Sequence, residues 1–302
     1  MVSVIIPVYN AEKTLGRAIK SVLNQAFVSQ LIIVNDASTD DSLSIIAFFR
    51  TTYFFPNGTI KLDLRSLDDN KGVSTARNIG LEWVTSPLVS FLDADDEFLP
   101  GRFYENVLQL IENIEIEGIY SPVQVKYEGV SAKENHQKMS NEKEIIGDIG
   151  KLNDRLFSNF LGCSEKYFLL SGLLIRRKSI LNIGFFDPDY AYCQDTDWLL
   201  RITSTLALSP SKSKDPLVII WRHAENRILD GSTAFVFRYA LLIKWLPYVL
   251  TRKDFAFKQK LFFINSLLDS PIKPGGHKIF KILTAFEMCI RNPRILSWLI
   301  KQ

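Results

Sequence analysis

Leu88-Val89-Ser90-Phe91-Leu92-Asp93-Ala94-Asp95-Asp96-Glu97 decides how this chain reads. A short, mostly apolar run passes directly into a segment in which four of five side chains are acidic. The apolar half has the length and composition of a buried strand. The acidic half then stands at that strand's carboxyl end. Carboxylates this close repel one another and are costly to hold together without compensation. Two readings stand. One is a solvated acidic turn. The other is a site for Mg2+ or Mn2+, where one or two carboxylates bind the ion and phosphate and water oxygens complete its shell.

The upstream residues repeat the strand pattern. Val2–Val8 is apolar and β-branched and ends in Tyr9-Asn10. Residues 11–25 carry Leu15, Ala18, Ile19 and Val22 at helical spacing. Leu31-Ile32-Ile33-Val34 is a second buried strand, ending in Asn35-Asp36. Thr39 or Asp40 suits the N-cap of a helix bearing Leu43, Ile46, Ala47 and Phe49. Residues 52–58 read as a loop and 60–64 as a third strand. Gly72 opens a helix with Ala76, Ile79, Leu81 and Val84 available to the core. Strand and helix thus alternate four times in about 95 residues, which predicts an α/β fold with a Rossmann-like, doubly wound, mostly parallel sheet. In such sheets ligands bind outside the carboxyl ends of the strands. Tyr9, Asp36, Asp93 and Asp95 each follow a strand, so they are expected to converge on one crevice. No Gly-x-Gly-x-x-Gly follows the first strand and no Gly-Lys-Ser/Thr loop is present, which disfavours a nicotinamide site or a P-loop.

Further on, residues 118–130 read as a strand pair, 131–151 as a polar insertion and 154–161 as a short helix. Residues 171–177 read as a strand, and Gly184-Phe185-Phe186-Asp187 as a turn. A helix is expected from Cys193, with Asp195 and Asp197 at the positive end of its dipole. Residues 218–223 form one more strand. From residue 231 the pattern is helical, which sets the expected boundary between a domain at 1–230 and a region at 231–302.

Composition is ordinary for a globular protein, with 47% hydrophobic and 23% charged residues. The formal charge of +3 is unevenly spread. Residues 234–302 carry 12 Lys and Arg against three acids, while the rest of the chain carries 24 against 30. The two regions are expected to face different partners. Aromatics such as Phe235, Phe237, Trp245, Phe262 and Trp298 interleave with the basic residues. That suits either a helical subdomain or a peripheral contact with anionic lipid. No nucleic-acid module is recognisable, so no nucleic acid is expected as a partner. No 18-residue apolar run is free of charge, so no spanning helix is expected. Three scattered cysteines point to a reducing compartment, and no basic segment precedes the first strand. The expected location is cytoplasmic, at the inner face of the plasma membrane if the basic region meets lipid.

Five segments, in order, resemble the family 2 glycosyltransferases of GT-A fold. They are SVIIPVYNAEKTLGRAIKSVLNQ, LIIVNDASTDDS, DDNKGVSTARNIGL, FLDADDEFLPG and GFFDPDYAYCQDTDWLLRI. The resemblance spans roughly residues 2–225. It implies an inverting, metal-dependent hexosyltransferase that moves a sugar from a nucleotide-sugar donor, UDP-linked, to an acceptor hydroxyl. The expected setting is polysaccharide, lipopolysaccharide or other glycoconjugate synthesis in the cell envelope, with a glycan or lipid-linked acceptor. It makes residues 1–230 the catalytic domain and 231–302 an acceptor or membrane contact.

Carried over residue by residue, the resemblance sets Pro7 and Tyr9 at the base pocket. Asp36 accepts a hydrogen bond from the base, Arg77 reaches the nucleotide, and Asp93 lies near the ribose. Asp95 is the likeness's metal ligand for Mn2+ or Mg2+, with His223 near the diphosphate or metal. Asp195 matches the general base, with Asp197 as an alternative two residues on. Two positions depart from the pattern. Asn35 stands where aspartate is frequent, and Gln194 replaces a glutamate beside the base, removing a charge that would raise its basicity. The alternative reading is therefore a non-catalytic or weakened relative that binds nucleotide sugar or glycan. Each site residue also has a plain structural reading: Asp36 as a helix cap, Arg77 as an ion-pair partner, Asp195 as a dipole-stabilising acid. Trp198 and Trp221 read as core.

Overall fold

The computed structural model describes residues 1–52, 60–128, 144–146, 168–222 and 231–251. The chain divides into two compact units, Met1–Leu156 with Lys166–Asn226, and Phe157–Glu165 with Arg227–Gln302.

The first unit is built on a seven-stranded sheet. Its strands are β1 (Val2–Val8), β2 (Val28–Asn35), β3 (Lys61–Ser66), β4 (Leu88–Phe91), β6 (Gly118–Tyr120), β9 (Leu173–Arg176) and β10 (Leu208–Pro210), in the order β10-β6-β9-β4-β1-β2-β3. Pairing is parallel except where β9 runs against β4 and β6. The expected mostly parallel α/β sheet is therefore present. β1 is buried at every position because both edges are paired and both faces are covered. β3 is the exposed edge and carries Lys61, Asp63 and Arg65, charges that blunt an open edge.

A second, four-stranded sheet has the order β5-β11-β7-β8, from β5 (Glu97–Phe98), β11 (Val218–Arg222), β7 (Val123–Tyr127) and β8 (Glu144–Ile146). Here the structure corrects the sequence reading. Residues 118–130 do supply two strands, but β6 and β7 do not pair with each other. Each joins a different sheet. Only Ser121-Pro122 separates them, and neither is the left-handed residue that a two-residue hairpin demands. Residue 177, expected at a strand end, instead opens helix α5 (Arg177–Ile183).

The remaining helices of the unit are α1 (Leu15–Leu23), α2 (Ser42–Thr52), α3 (Val73–Glu82), α4 (Tyr104–Glu112) and α6 (Gln194–Thr205). α1 buries Leu15, Ala18, Ile19 and Val22, the residues its spacing marks. α3 lies close on β1: a Cβ at Gly80 would sit 2.5 Å from Cγ2 of Ile5. Pro7 sits inside a central strand without harm. Val8 faces β2, since its carbonyl accepts the Asp36 N–H, so Pro7 faces the β4 side, and β4 ends at Phe91 opposite Ile5. No ladder bond is lost there.

The described part of the second unit is one helix, α7 (Gly231–Thr251), which continues through Pro247. No helix among the described residues is long and apolar enough to cross a membrane. The expected insertion at 131–151 lies outside the described residues except for β8, and the expected helix at 154–161 and residues 252–302 lie wholly outside them.

Candidate active site

β4, β1 and β2 are neighbours, and all three point the same way. Tyr9 follows β1, Asp36 follows β2, and Asp93 to Asp96 follow β4. These residues leave one sheet edge together, as the topology requires. Val8 pairs with Asn35, and Ile5 with Phe91; two residues beyond that second pair stand Pro7 and Asp93.

The loops after β1 and β2 are laced to each other. N–H groups of Asn10, Ala11 and Glu12 donate to Ser38 Oγ (3.0 Å), Ser42 Oγ (3.0 Å) and Asp40 Oδ2 (2.9 Å). In return, Thr39 N–H donates to Asn10 Oδ1 at 2.8 Å, and Asp41 N–H to Glu12 Oε2 at 3.1 Å. Asp40 also accepts the first N–H of α2, from Ser42 at 3.0 Å, so it is the cap expected from sequence. Partial burial acts to raise the Asp40 carboxyl, but hydrogen bonds from the Ser42 hydroxyl and from backbone N–H groups outweigh it and hold Asp40 below its ordinary value. Tyr9, at 43% exposure, projects from this laced edge, whereas Pro7 is buried in β1 opposite Val34.

Asp36 is buried and accepts two backbone hydrogen bonds, from Lys71 N–H at 2.7 Å and Gly72 N–H at 2.8 Å. It thereby ties the end of β2 to the start of α3. Gly72 has φ +84°, a conformation that a side chain would strain. A carboxylate offers about four lone-pair sites, so each oxygen retains capacity for another donor.

Arg77 on α3 is buried, and its Nη2 donates to Asp93 Oδ1 at 2.6 Å. Its Nε and Nη1 have no hydrogen-bond partner among the described residues. Asp93 keeps 42% of its side chain exposed. Asp95 is half-buried, and its carbonyl accepts Arg17 Nη2 at 3.1 Å. The Arg17 guanidinium lies 4.4 Å from the Trp221 ring centre.

Asp96 differs from its neighbours. It is 3% exposed and accepts Trp221 N–H at 3.1 Å and the Ser171 hydroxyl at 3.4 Å. Burial, followed by repulsion from Asp95 and Asp93, pushes its carboxyl well above the ordinary range. It pins the acidic loop to β11 and to the 3-10 turn before β9.

The other acidic segment opens α6. Cys193 before it has φ 59°, in the left-handed region. Asn10 and Ala37 share that region, and each adjoins a strand-end residue named above. Strained backbone of this kind clusters at functional sites. Asp195 is half-buried in the first turn, and its Oδ1 accepts Thr196 N–H at 2.8 Å. Asp197 is fully buried, with its Oδ2 3.2 Å from Arg201 Nε. That burial argues against the alternative base, because an enclosed, ion-paired carboxylate cannot meet an acceptor.

Aromatic packing joins the two acidic segments. Phe91, Phe186 and Trp198 are buried, with Phe186 stacked on Trp198 at 4.5 Å and Phe91 edge-on to both at 5.5 and 5.4 Å. Trp198 is core, as expected, and its Nε1 donates to Gly184 O at 2.9 Å. Trp221 is only half-buried.

Pro7, Tyr9, Asp36, Arg77, Asp93 and Asp95 thus gather around three strand ends and α3, and Asp195 is linked to them through the aromatic cluster. His223 lies outside the described residues. Sequence reading did not single out Arg17 or Asn78. Their partners, Asp95 O and the Phe186 backbone, are distant in sequence. Among the described residues, no three His, Cys, Asp or Glu side chains cluster as a metal site. Asp93 and Asp95 bring two carboxylates to this strand end, and one or two carboxylates suit a hard divalent ion completed by substrate oxygens.

The architecture and its polar strand ends define the class, an α/β fold of GT-A type. The chain belongs to glycosyl transferase family 2, whose family model matches residues 3–183. It is 31% identical over 205 residues to the minor teichoic acid biosynthesis protein GgaA of Bacillus subtilis (strain 168), covering 65% of this chain and 41% of GgaA. It is 26% identical over 208 residues to the UDP-Glc:alpha-D-GlcNAc-diphosphoundecaprenol beta-1,3-glucosyltransferase WfgD of Escherichia coli, covering 65% of this chain and 79% of WfgD. In structure it is similar to S. aureus TarS 1–349 in complex with UDP-GlcNAc, with a TM-score of 0.61, 18% identity, and coverage of 89% of this chain and 70% of TarS 1–349. At that identity the likeness speaks for the fold. The chain spans between 12% and 43% of the length of five curated relatives that it matches.

Proposed function

We propose that this chain is an inverting, metal-dependent glycosyltransferase that moves a sugar from a UDP-linked donor to an acceptor hydroxyl in cell-envelope glycoconjugate synthesis. The observation that carries the reading is the pairing of two accessible acidic centres, Asp93 with Asp95 after β4 and Asp195 at the start of α6, joined by one packed aromatic cluster. The donor class draws support from WfgD, named for UDP-Glc, and from TarS in complex with UDP-GlcNAc. The setting draws support from GgaA, a teichoic acid biosynthesis protein.

In this reading Tyr9 packs against the base, with Pro7 shaping the strand beneath it. Asp36 accepts a hydrogen bond from the base through its remaining lone pairs. Arg77 holds Asp93 toward the ribose and so acts on the nucleotide through that carboxylate. Asp95, with His223, would hold Mn2+ or Mg2+. That ion, when bound, neutralises charge developing on the diphosphate. Asp195 takes the proton from the acceptor hydroxyl as the oxygen attacks the anomeric carbon. The bond from that carbon to the diphosphate breaks, and its electron pair leaves with the nucleotide. One displacement inverts the configuration, and a positioned base contributes roughly 10²–10⁴-fold.

A thermal-shift panel of nucleotide sugars, run with and without Mn2+, tests donor and metal together. Stabilisation by one UDP-sugar only when metal is present is expected. A melting temperature indifferent to every donor would sink the proposal, and donor binding without turnover would favour the non-catalytic relative. For location, we propose the cytoplasmic face of the membrane, with residues 231–302 docking on anionic lipid near a lipid-linked acceptor. Failure of the full chain to bind anionic vesicles at low salt would remove that part.

A further inference from the structure

We infer that Asn78 is a positioning residue: its carboxamide fixes where Asp195 stands relative to Asp93 and Asp95. The inference rests on the assignment of Asp195 as base proposed above. Asn78 Nδ2 donates to Phe186 O at 2.9 Å, and its Oδ1 accepts Phe186 N–H at 2.8 Å. One side chain thus saturates both backbone groups of a residue 108 positions away. Phe186 is one of the three mutually packed rings of the cluster described above. It stacks on Trp198, three residues after Asp195, and meets Phe91, two residues before Asp93.

The other end of the strut is equally fixed. Arg77, the preceding residue on α3, donates to Asp93. α3 cannot slide, because Gly80 rests against Ile5 and Gly72 is bonded to Asp36. One helix therefore grips both acidic segments, through Arg77 on the donor side and Asn78 on the base side. Phe186 lies in a connecting segment between α5 and α6, where ordinary ladder bonds are absent. Without Asn78 its two backbone groups lose their partners, and the ring that sets the height of α6 is released.

A merely structural Asn78 would lower stability and leave the chemistry of the folded protein unchanged. A double-mutant cycle separates the two roles. Asn78→Ala, Asp195→Asn and the double variant are assayed for UDP release from the nucleotide sugar that stabilises the wild type, and for UDP binding with Mn2+ by calorimetry. Asn78→Ala is expected to lower kcat roughly 10- to 100-fold, the effect of an ångström-scale misplacement. Donor KM and UDP affinity are expected to stay within about 2-fold, because Asn78 touches neither. Added to Asp195→Asn, it is expected to change nothing further, because the base it positions is already gone. A full additional loss in the Asp195→Asn background would overturn the inference. So would an unchanged kcat, or a loss confined to UDP binding. If Asp195→Asn itself retained full turnover, the base assignment would fail instead. Should Asn78→Ala not fold, Phe186→Leu keeps the backbone clamp, removes the stack and is read in the same cycle.

Discussion

The segments at residues 93–96 and 195–197 each combine accessible and buried carboxylates, Asp93 and Asp95 beside buried Asp96 and Asp195 beside buried Asp197, and the buried ones are satisfied in different ways. Asp96 receives neutral donors, the Trp221 N–H and the Ser171 hydroxyl, while burial and then repulsion from Asp95 and Asp93 raise its carboxyl above the ordinary range. Asp197 receives a guanidinium from Arg201, one helical turn on. The arrangement teaches how acids can be concentrated without unfolding the site. After β4, where the open acids already repel, the buried one meets neutral donors. In α6 the buried one is matched by a cation, so Asp195 gains no like-charged neighbour in excess.

Substitutions break or sharpen this contrast, and the largest effect belongs to the open acid of α6. Asp195→Asn is expected to lower kcat roughly 10²–10⁴-fold while the melting temperature stays near wild type. Asp197→Asn should do the reverse. It leaves Arg201 facing a neutral group and is expected to cost about 1–3 kcal/mol in chemical denaturation, discounted because Arg201 is partly solvated. Equal kinetic losses in the two variants would erase the distinction between them.

At Asp96 the expected cost depends on what replaces the acid. Asp96→Asn retains an acceptor for the Trp221 N–H and should change stability by under about 1 kcal/mol. Asp96→Ala strands that N–H and should cost about 1–3 kcal/mol. If the two cost the same, the neutral-donor account of Asp96 is wrong. The smallest effect is expected in the laced loops. Asp40 is held below its ordinary carboxylate value in the folded chain, so its contribution is present above that ordinary value and fades as pH falls through the folded one. Asp40→Asn should therefore melt slightly below wild type at pH 7, with the difference closing in strong acid.

Much of this architecture is legible in the chain itself. The apolar runs at 2–8, 31–34 and 88–91 locate three central strands, because a strand buried on both faces has no polar positions to spare. Their carboxyl ends then locate Tyr9, Asp36 and Asp93 without any contact being known. Pattern alone misjudged residues 118–130, since a short apolar strand carries no mark of the sheet it will join. The Ser121-Pro122 link was the available sign against a hairpin.

By itself, the sequence determined the alternation of strands and helices through the fourth strand and the edge at which polar groups collect. These follow from local periodicity and from the chirality of strand–helix crossovers. Only the tertiary structure decided which acid of each segment is open. Asp95 and Asp96 are adjacent and chemically identical, as Asp195 and Asp197 nearly are. Their fates turn on Trp221, Ser171 and Arg201, and on Asn78 reaching Phe186 across 108 residues. Such partners meet only when the sheets and helices have packed, because burial and hydrogen-bond geometry are properties of the assembled neighbourhood and not of the local chain.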